Sequence, residues 1–491
     1  MKRVFCVFGV ALLLTGCAPR ASQIDFDAKG KEFNKRMAQV YNWTPAKPLT
    51  KAEVAAWTFL RNRDIKLKFI ELEGESARAV LASTDALPGI IANYQHTYRS
   101  KLSLSTSKRL GEVDLGEVDS VPSYSSEKDN DSASIGIHFD VINMLKNYML
   151  AEKAGNEREI SRLNLERAAE QSIREAFAAY YMKVAEQTTK SELESVGSAL
   201  SGKIDELCQS APENSPSTDK LYSVCSDGLT KVRVIQSVKQ HFESSAANLN
   251  ALLSVHPTTR VDVVLPDFSD PGELKMPVDD LVKMAVALRP ELFIEEYHKE
   301  SAKIEKKTAL LDILPSVEVG YEQKYDSNTF LVNNSWGQAY VRLNADLLKQ
   351  IIQAPMKRQI GEIKYRMADS RQESLLIAVA TQVNLAYTRY NAARSKWLLS
   401  HKLAYVKRLQ SERAHGKVAV GLTEPIEQTL TGLEHVGAQY QEIADYADMM
   451  DAAAQMYLAL GIQVLPLTEG AQSAEQIAQR FSEKLSSLGI M

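Results

Sequence analysis

The residues whose spacing comes nearest to a catalytic or metal-binding pattern are Glu295 and His298, which have the Glu-x-x-His spacing of di-iron helix bundles. A di-iron site needs a second Glu-x-x-His pair and further glutamates on facing helices. The matching stretch of an upstream copy, described below, has no such pair. A Gly-x-Ser-x-Gly turn and a phosphate-binding glycine loop are also missing from the sequence. We therefore expect no metal, no cofactor and no enzymatic activity.

The N-terminus has the organisation of a bacterial secretion signal. A basic start precedes an apolar run at positions 4–14, which is too short to span a bilayer and suits a signal peptide. The run ends in Leu-Thr-Gly-Cys at 14–17, which resembles a lipobox, so we expect residues 1–16 to be removed and Cys17 to be acylated. Several acyl chains, palmitate among them, make a stable anchor. Ala18 at the next position favours the outer membrane. An ordinary signal peptide followed by a chance cysteine is the alternative.

Two further cysteines follow much later, Cys208 and Cys225. Two cysteines in an oxidising periplasm suggest a disulfide that closes a loop of about 17 residues, which contributes about 3 kcal/mol in the chain-entropy model. Two free thiols are the alternative.

The longest regular pattern runs from Lys349 to Gly461 and predicts two very long helices joined by a short turn at 415–425. Apolar residues recur there every seven positions, with a second set offset by three, as in a coiled coil. At about 1.5 Å per residue, the arm before the turn would reach roughly 100 Å. The heptad positions before the turn are Leu376, Val383, Tyr390 and Trp397, and those after it are Val436, Ile443, Met450 and Tyr457.

The chain also repeats itself. In each copy a charged helix of roughly 35 residues is predicted to end before a proline, Pro88 or Pro315, because proline cannot continue a helix. Two stretches of period-two alternation follow in each copy, separated by a polar loop. Strands are therefore predicted at about 90–98, 134–142, 317–325 and 338–345. Strands of nine to ten residues are long enough to cross a bilayer when tilted.

These patterns divide the chain into a lipid-anchored tether, two copies joined by a linker, and a tail. Each copy ends in a long helical hairpin, and the first hairpin turns near Ser210 to Pro216. The predicted boundaries are 17–48 for the tether, 49–256 and 280–461 for the copies, 257–279 for the linker, and 462–491 for a partly helical tail.

The ordered set of motifs resembles the TolC-like outer membrane efflux family over nearly all of the mature chain. The motifs that carry the resemblance are Ala287-Leu288-Arg289-Pro290-Glu291-Leu292, Leu314-Pro315-Ser316, Ala386-Tyr387, and Val420-Gly421-Leu422-Thr423 followed by Glu427. The first copy departs from the pattern, because it lacks the Arg-Pro pair and carries a cysteine-bounded insertion at its tip.

The resemblance implies a mixed α/β membrane protein: a trimeric 12-stranded β-barrel continued by a periplasmic α-helical barrel. Physics also favours several copies, because four strands cannot close a barrel and an open edge in lipid leaves backbone groups unpaired. The implied function is an outer membrane channel that receives substrates from an inner-membrane pump and a periplasmic adaptor, in efflux or type I secretion. The competing hypothesis is a lipid-anchored periplasmic coiled-coil scaffold, with a small soluble sheet and no pore.

The resemblance also suggests where the channel would be gated. By matching the Gly-Leu-Thr turn, Glu427 falls at the first of two acidic positions that ring the family's constriction, and Leu430 falls at the second. Three convergent Glu427 carboxylates would repel one another and attract cations; the alternative is an exposed coiled-coil charge. The tip expected to contact the adaptor comprises Gly416, Val420, Gly421, Leu422 and Thr423.

Composition adds one exclusion. A net charge of −4 over 491 residues, with 7% aromatic residues and no basic patch among them, gives no indication of nucleic-acid binding.

Overall fold

The computed structural model describes residues 24–105, 122–209, 218–274, 276–345, 349–419, 425–462 and 473–487. The predicted signal peptide and Cys17 lie outside these ranges. The helices are α1 (Phe26–Val40), α2 (Lys51–Arg61), α3 (Arg63–Thr84), α4 (Val141–Gln209), α5 (Thr218–Leu252), α6 (Val278–Leu288), α7 (Pro290–Leu311), α8 (Ala354–Ala419), α9 (Pro425–Ala459) and α10 (Ala474–Ser487). The strands are β1 (Gly89–Tyr98), β2 (Asp129–Asp140), β3 (Ser316–Asp326) and β4 (Ser335–Asn344).

The two copies have the same element order: two helices, two strands and a two-helix hairpin. The predicted helix of about 35 residues is wrong in both copies, because each stretch is two helices. In the first copy Asn62 ends α2 in an extended conformation, and its side-chain oxygen accepts from the amides of Asp64 at 2.8 Å and Ile65 at 3.3 Å. In the second copy Pro290 takes the first position of α7, where a missing N–H costs nothing.

Each long helix packs against two shorter helices placed end to end. The 69-residue α4 contacts α3 along one part and α5 along another, while the 66-residue α8 contacts α7 and α9. Contacts of α4 with α7 and with α9 join the copies. The four helices that adjoin the strands therefore lie in the order α3, α4, α7, α8. Edge-on aromatic contacts of Tyr446 with Tyr181 and Trp397 fill the shared core.

The inter-copy linker packs on one side of this helical layer. Val263 forms a parallel bridge with Leu49 at the start of the first copy. The side chain of Gln187 on α4 donates to the carbonyl of Val263 at 3.0 Å and accepts from its amide at 2.7 Å. Tyr390 on α8 donates to the carbonyl of Gly272 at 2.6 Å. These bonds fix a proline-rich segment whose described residues before α6 form no helix and no strand.

Both ends of the chain contain a helix, which was predicted for the tail and not for the tether. The tether contains α1, and the tail contains α10, whose Ile477 and Ala478 pack against Ala56 of α2. The second strand begins five residues before the predicted 134 and ends two before 142, at 129 and 140. A π-helical turn at Lys349–Gln353 precedes α8. Among the described residues, no helix is both long enough and apolar enough to cross a membrane.

Candidate functional site

The sheet has four antiparallel strands in chain order, so that the second strand of one copy pairs with the first strand of the other. The register sets Ile137 opposite both Ile90 and Tyr321, and Val319 opposite both Phe139 and Val341. Cross-strand partners lie on the same face, so the apolar positions of all four strands share one side. The predicted alternation is therefore confirmed, with every strand in the same phase.

The apolar face is exposed in the single chain: Ile90 is 74% accessible, Val341 70% and Leu343 69%. Nothing in the described chain covers it. Tyrosines and charged groups lie toward its loop end, where Tyr94 donates to Asp131 at 2.8 Å. Its members are Ile90, Ala92, Tyr94, Ala133, Ile135, Ile137, Phe139, Val317, Val319, Tyr321, Tyr325, Ala339, Val341 and Leu343.

The opposite face is polar. Tyr340 donates to a Glu318 carboxylate oxygen at 2.8 Å, and the Arg342 guanidinium lies 3.4 Å from the other oxygen. Amides and hydroxyls of β1 and β2 complete this face, which is the face that a water-filled space would suit.

Both edges of the sheet are open. In the described part of the chain, β1 and β4 each pair with a strand on one side only. The helices that adjoin these edges, α3 and α8, also end the helical layer and expose apolar stripes. Leu67 and Ile70 on α3, and Met356 and Ile360 on α8, are each more than half exposed. In the described part of the chain, each side of the molecule therefore has an unpaired strand edge followed by an exposed apolar helix stripe, and these two sides are called the borders.

The tip of the first hairpin is held by a disulfide. Cys208 of α4 and Cys225 of α5 are bonded, with Cα atoms 5.9 Å apart. Next to it Gly228 lets the helices approach closely, since a Cβ there would overlap the Ile204 side chain.

The tip of the second hairpin is described only in part. Gly416 lies in the last turns of α8, with open space where a Cβ would be. Val420, Gly421, Leu422 and Thr423 lie outside the described residues. The backbone of Glu427 is in the first turn of α9, and its side chain is outside the described part. Further along, Glu434 on α9 pairs with Lys407 of α8 at 2.7 Å and with Lys231 of α5 at 3.5 Å.

Glu295 and His298 both lie on α7. No group of three or more potential metal ligands occurs among the described residues, and the second Glu-x-x-His pair is missing from the sequence.

A duplicated helix end was not foreseen from the sequence. After α5 the chain turns at Ser254 (φ 51°), and after α9 it turns at Gly461 (φ 69°). An arginine reaches back to each helix end: Arg61 donates to the Leu253 carbonyl at 3.2 Å, and Arg289 to the Leu458 carbonyl at 3.1 Å. The first copy lacks the Arg-Pro motif, but its Arg61 supplies a guanidinium from one position before the place where the arginine of that motif would lie. An arginine at the end of the helix that precedes each helix break is the sequence signal from which this arrangement could have been predicted.

No family profile matches this sequence, and no curated protein matches it in sequence. Solved structures do match. The Campylobacter jejuni CmeC outer membrane channel superposes with a TM-score of 0.63 at 12% identity, over 95% of this chain and 97% of that one. The outer-membrane channel OprN gives 0.62 at 12% identity, over 84% and 89%. The open state of the Neisseria gonorrhoeae MtrE outer membrane channel gives 0.61 at 12% identity, over 84% and 88%. The chain therefore has the fold of the TolC-like outer-membrane channel proteins.

Proposed function

We propose that three copies of this chain form an outer membrane channel in which β4 of one copy pairs with β1 of the next. Three four-stranded sheets make a twelve-stranded barrel with no open edge. The observation that carries the proposal is the combination of two free strand edges with an exposed apolar face. Unpaired backbone groups in lipid cost several kcal/mol each, so closure between copies is the favourable arrangement. The apolar face then meets lipid, and its tyrosines lie near the headgroups.

The helical borders support the same assembly. The stripe on α8 that includes Met356 and Ile360 lies below the β4 edge, and the stripe on α3 with Leu67 and Ile70 lies below the β1 edge. Packing one stripe against the other buries apolar side chains that contribute about 1.5–3 kcal/mol each when fully buried. The helices then continue the barrel as a tunnel in the periplasm.

The function of this tunnel is conduction. Substrates delivered by an inner-membrane pump and a periplasmic adaptor pass through it to the cell exterior, in efflux or type I secretion. The polar face with Glu318, Tyr340 and Arg342 lines the water-filled lumen. The scaffold alternative requires strands too short to cross a bilayer, whereas the four strands have 10 to 12 residues each.

The ends of the molecule complete the proposal. The acylated Cys17 anchors the chain to outer membrane lipid. Gly416 and the segment 420–423 at the second hairpin tip contact the adaptor. Glu427, one turn beyond that tip, contributes a ring of three carboxylates at the periplasmic constriction. Glu427→Ala removes that ring, and we expect a leakier channel with weaker cation preference. Unchanged conductance and selectivity in this variant would remove Glu427 from the gate.

Planar-bilayer recording tests the function. The purified full-length protein, after its own processing and acylation, should insert and give discrete conductance steps. Protein that binds lipid vesicles and never gives steps would support the scaffold and exclude the channel.

A further inference from the structure

Two adjoining half-open pockets lie where α9 ends and α7 begins. They enclose about 440 Å³ and 360 Å³ and share the side chains of Arg289, Gln382 and Leu458. Arg167 and Arg174 of α4 line the first pocket, and Arg389 of α8 lines the second. Four guanidinium groups thus converge on one junction of the helical layer.

Two carboxylates are shared among these four guanidinium groups. Arg174 and Arg389 lie 3.2 Å and 3.1 Å from the two oxygens of Asp451. Arg167 and Arg289 lie 3.2 Å and 3.1 Å from the two oxygens of Glu291.

A third carboxyl group, Glu170, does not balance the remaining charge. Its side chain is buried in the wall of the first pocket. Burial, with the neighbouring carboxylates of Glu166 and Glu291, raises the pKa of Glu170 to about 8, so it is mostly neutral at pH 7. The Glu166 carboxylate is paired with Arg162, so the four guanidinium groups have two carboxylate partners, an excess of two positive charges among these residues.

Helix geometry places part of the pocket lining on the side of the helical layer opposite the linker contacts, called the bare side here. Tyr180 of α4 donates to the linker carbonyl of Val264, and Gln171 lies nine residues earlier, about 180° around the helix at 100° per residue. On α8, Leu385 lies five residues before the linker contact Tyr390, about 140° around. The side chains of Arg167 and Arg389 are 56% and 51% exposed.

We propose that this junction binds organic anions, with sulfonate, carboxylate or phosphate groups against the guanidinium groups and apolar parts against Leu385 and Leu458. Guanidinium groups suit such ligands because they donate two parallel hydrogen bonds to an oxyanion. Binding itself is independent of the proposed channel. The role of this binding in transport rests on that function. In the trimer the bare side faces the lumen, so organic anions are the substrate class that the channel wall favours.

Fluorescence anisotropy of pyranine, a trisulfonated pyrene dye, tests the proposal with the full-length protein in detergent. We expect saturable binding that weakens with added salt. The double variant Arg167→Gln/Arg389→Gln should bind about tenfold more weakly, equivalent to ~1.4 kcal/mol. The matched control Arg78→Gln/Arg260→Gln removes two equally charged groups that are 72% and 82% exposed elsewhere, and it should bind like the parent.

The result that overturns the proposal is no saturable binding by the parent, or equal loss in the test and control variants. Each single variant is measured as well, so that failure of the double variant to fold leaves the comparison intact. Bilayer conductance of the same preparation separates the two proposals. Conductance without dye binding refutes the anion site and leaves the channel standing, whereas dye binding without conductance does the reverse.

Discussion

Gly461 gives the sharpest quantitative test of the helix junction. Its φ of 69° lies in the left-handed region, and a Cβ there would be 2.8 Å from the carbonyl carbon of Leu288 and 2.9 Å from the amide nitrogen of Arg289. Gly461→Ala therefore combines a backbone cost of roughly 1–2 kcal/mol with about 1–3 kcal/mol of overpacking against backbone that cannot rotate away. We expect a loss of about 2–5 kcal/mol in the free energy of unfolding.

Gly272 is the matched control, because its φ is 89° and nothing lies within 4 Å of its Cβ position. Gly272→Ala should lose only the backbone cost of about 1–2 kcal/mol. The assay is thermal unfolding of both variants in detergent at one scan rate, followed by far-UV circular dichroism. If Gly461→Ala melts no lower than Gly272→Ala, the close approach of the α9 end to the α6–α7 break is not a constraint.

Three further outcomes follow from other contacts. Ile360→Asp, on the α8 stripe, should shift the protein from trimer to monomer in size-exclusion chromatography. The control Leu265→Asp, on the linker, should leave the trimer intact, although Leu265 is 54% exposed and Ile360 is 52% exposed. Serine at both Cys208 and Cys225 should cost about 3 kcal/mol, seen as faster proteolysis at the first hairpin tip; unchanged cleavage would contradict a stabilising disulfide. Burial raises the pKa of Glu170 from 4.5 to about 8 in the folded chain. The unfolded chain therefore loses this proton first, and the stability of the fold decreases as the pH rises from about 4.5 to about 8. Glu170→Gln should raise the melting temperature at pH 8 more than at pH 5, and equal shifts would count against the buried neutral acid.

Periodic patterns made most of the architecture predictable. Alternation identified the residues of β1 and β3 that lie on the apolar and on the polar face of the sheet, and the heptads around Val383 and Tyr390 placed the long helix. Both signals repeat many times. The breaks at Asn62 and Arg289 were missed, since a single extended residue hardly disturbs an apolar period. The bridge between Leu49 and Val263 leaves no periodic trace at all.

The junction of arginines was missed for a different reason. Arg167, Arg289 and Arg389 are far apart in the sequence, and only the end-to-end packing of α9 and α7 between α4 and α8 brings them together. The carboxylate partners of Arg167 and Arg389 are also far away in the sequence. Arg289 has a near partner in Glu291, but that single pair does not mark the site. The disulfide could be predicted from the sequence because both cysteines flank one hairpin tip.

Native mass spectrometry of the acylated protein released from detergent micelles tests the central claim most directly. Since β1 and β4 each have one unpaired edge among the residues that the structure describes, we predict a complex of three chains that persists until the detergent is stripped. A species with one chain under the same conditions would contradict a barrel closed between copies.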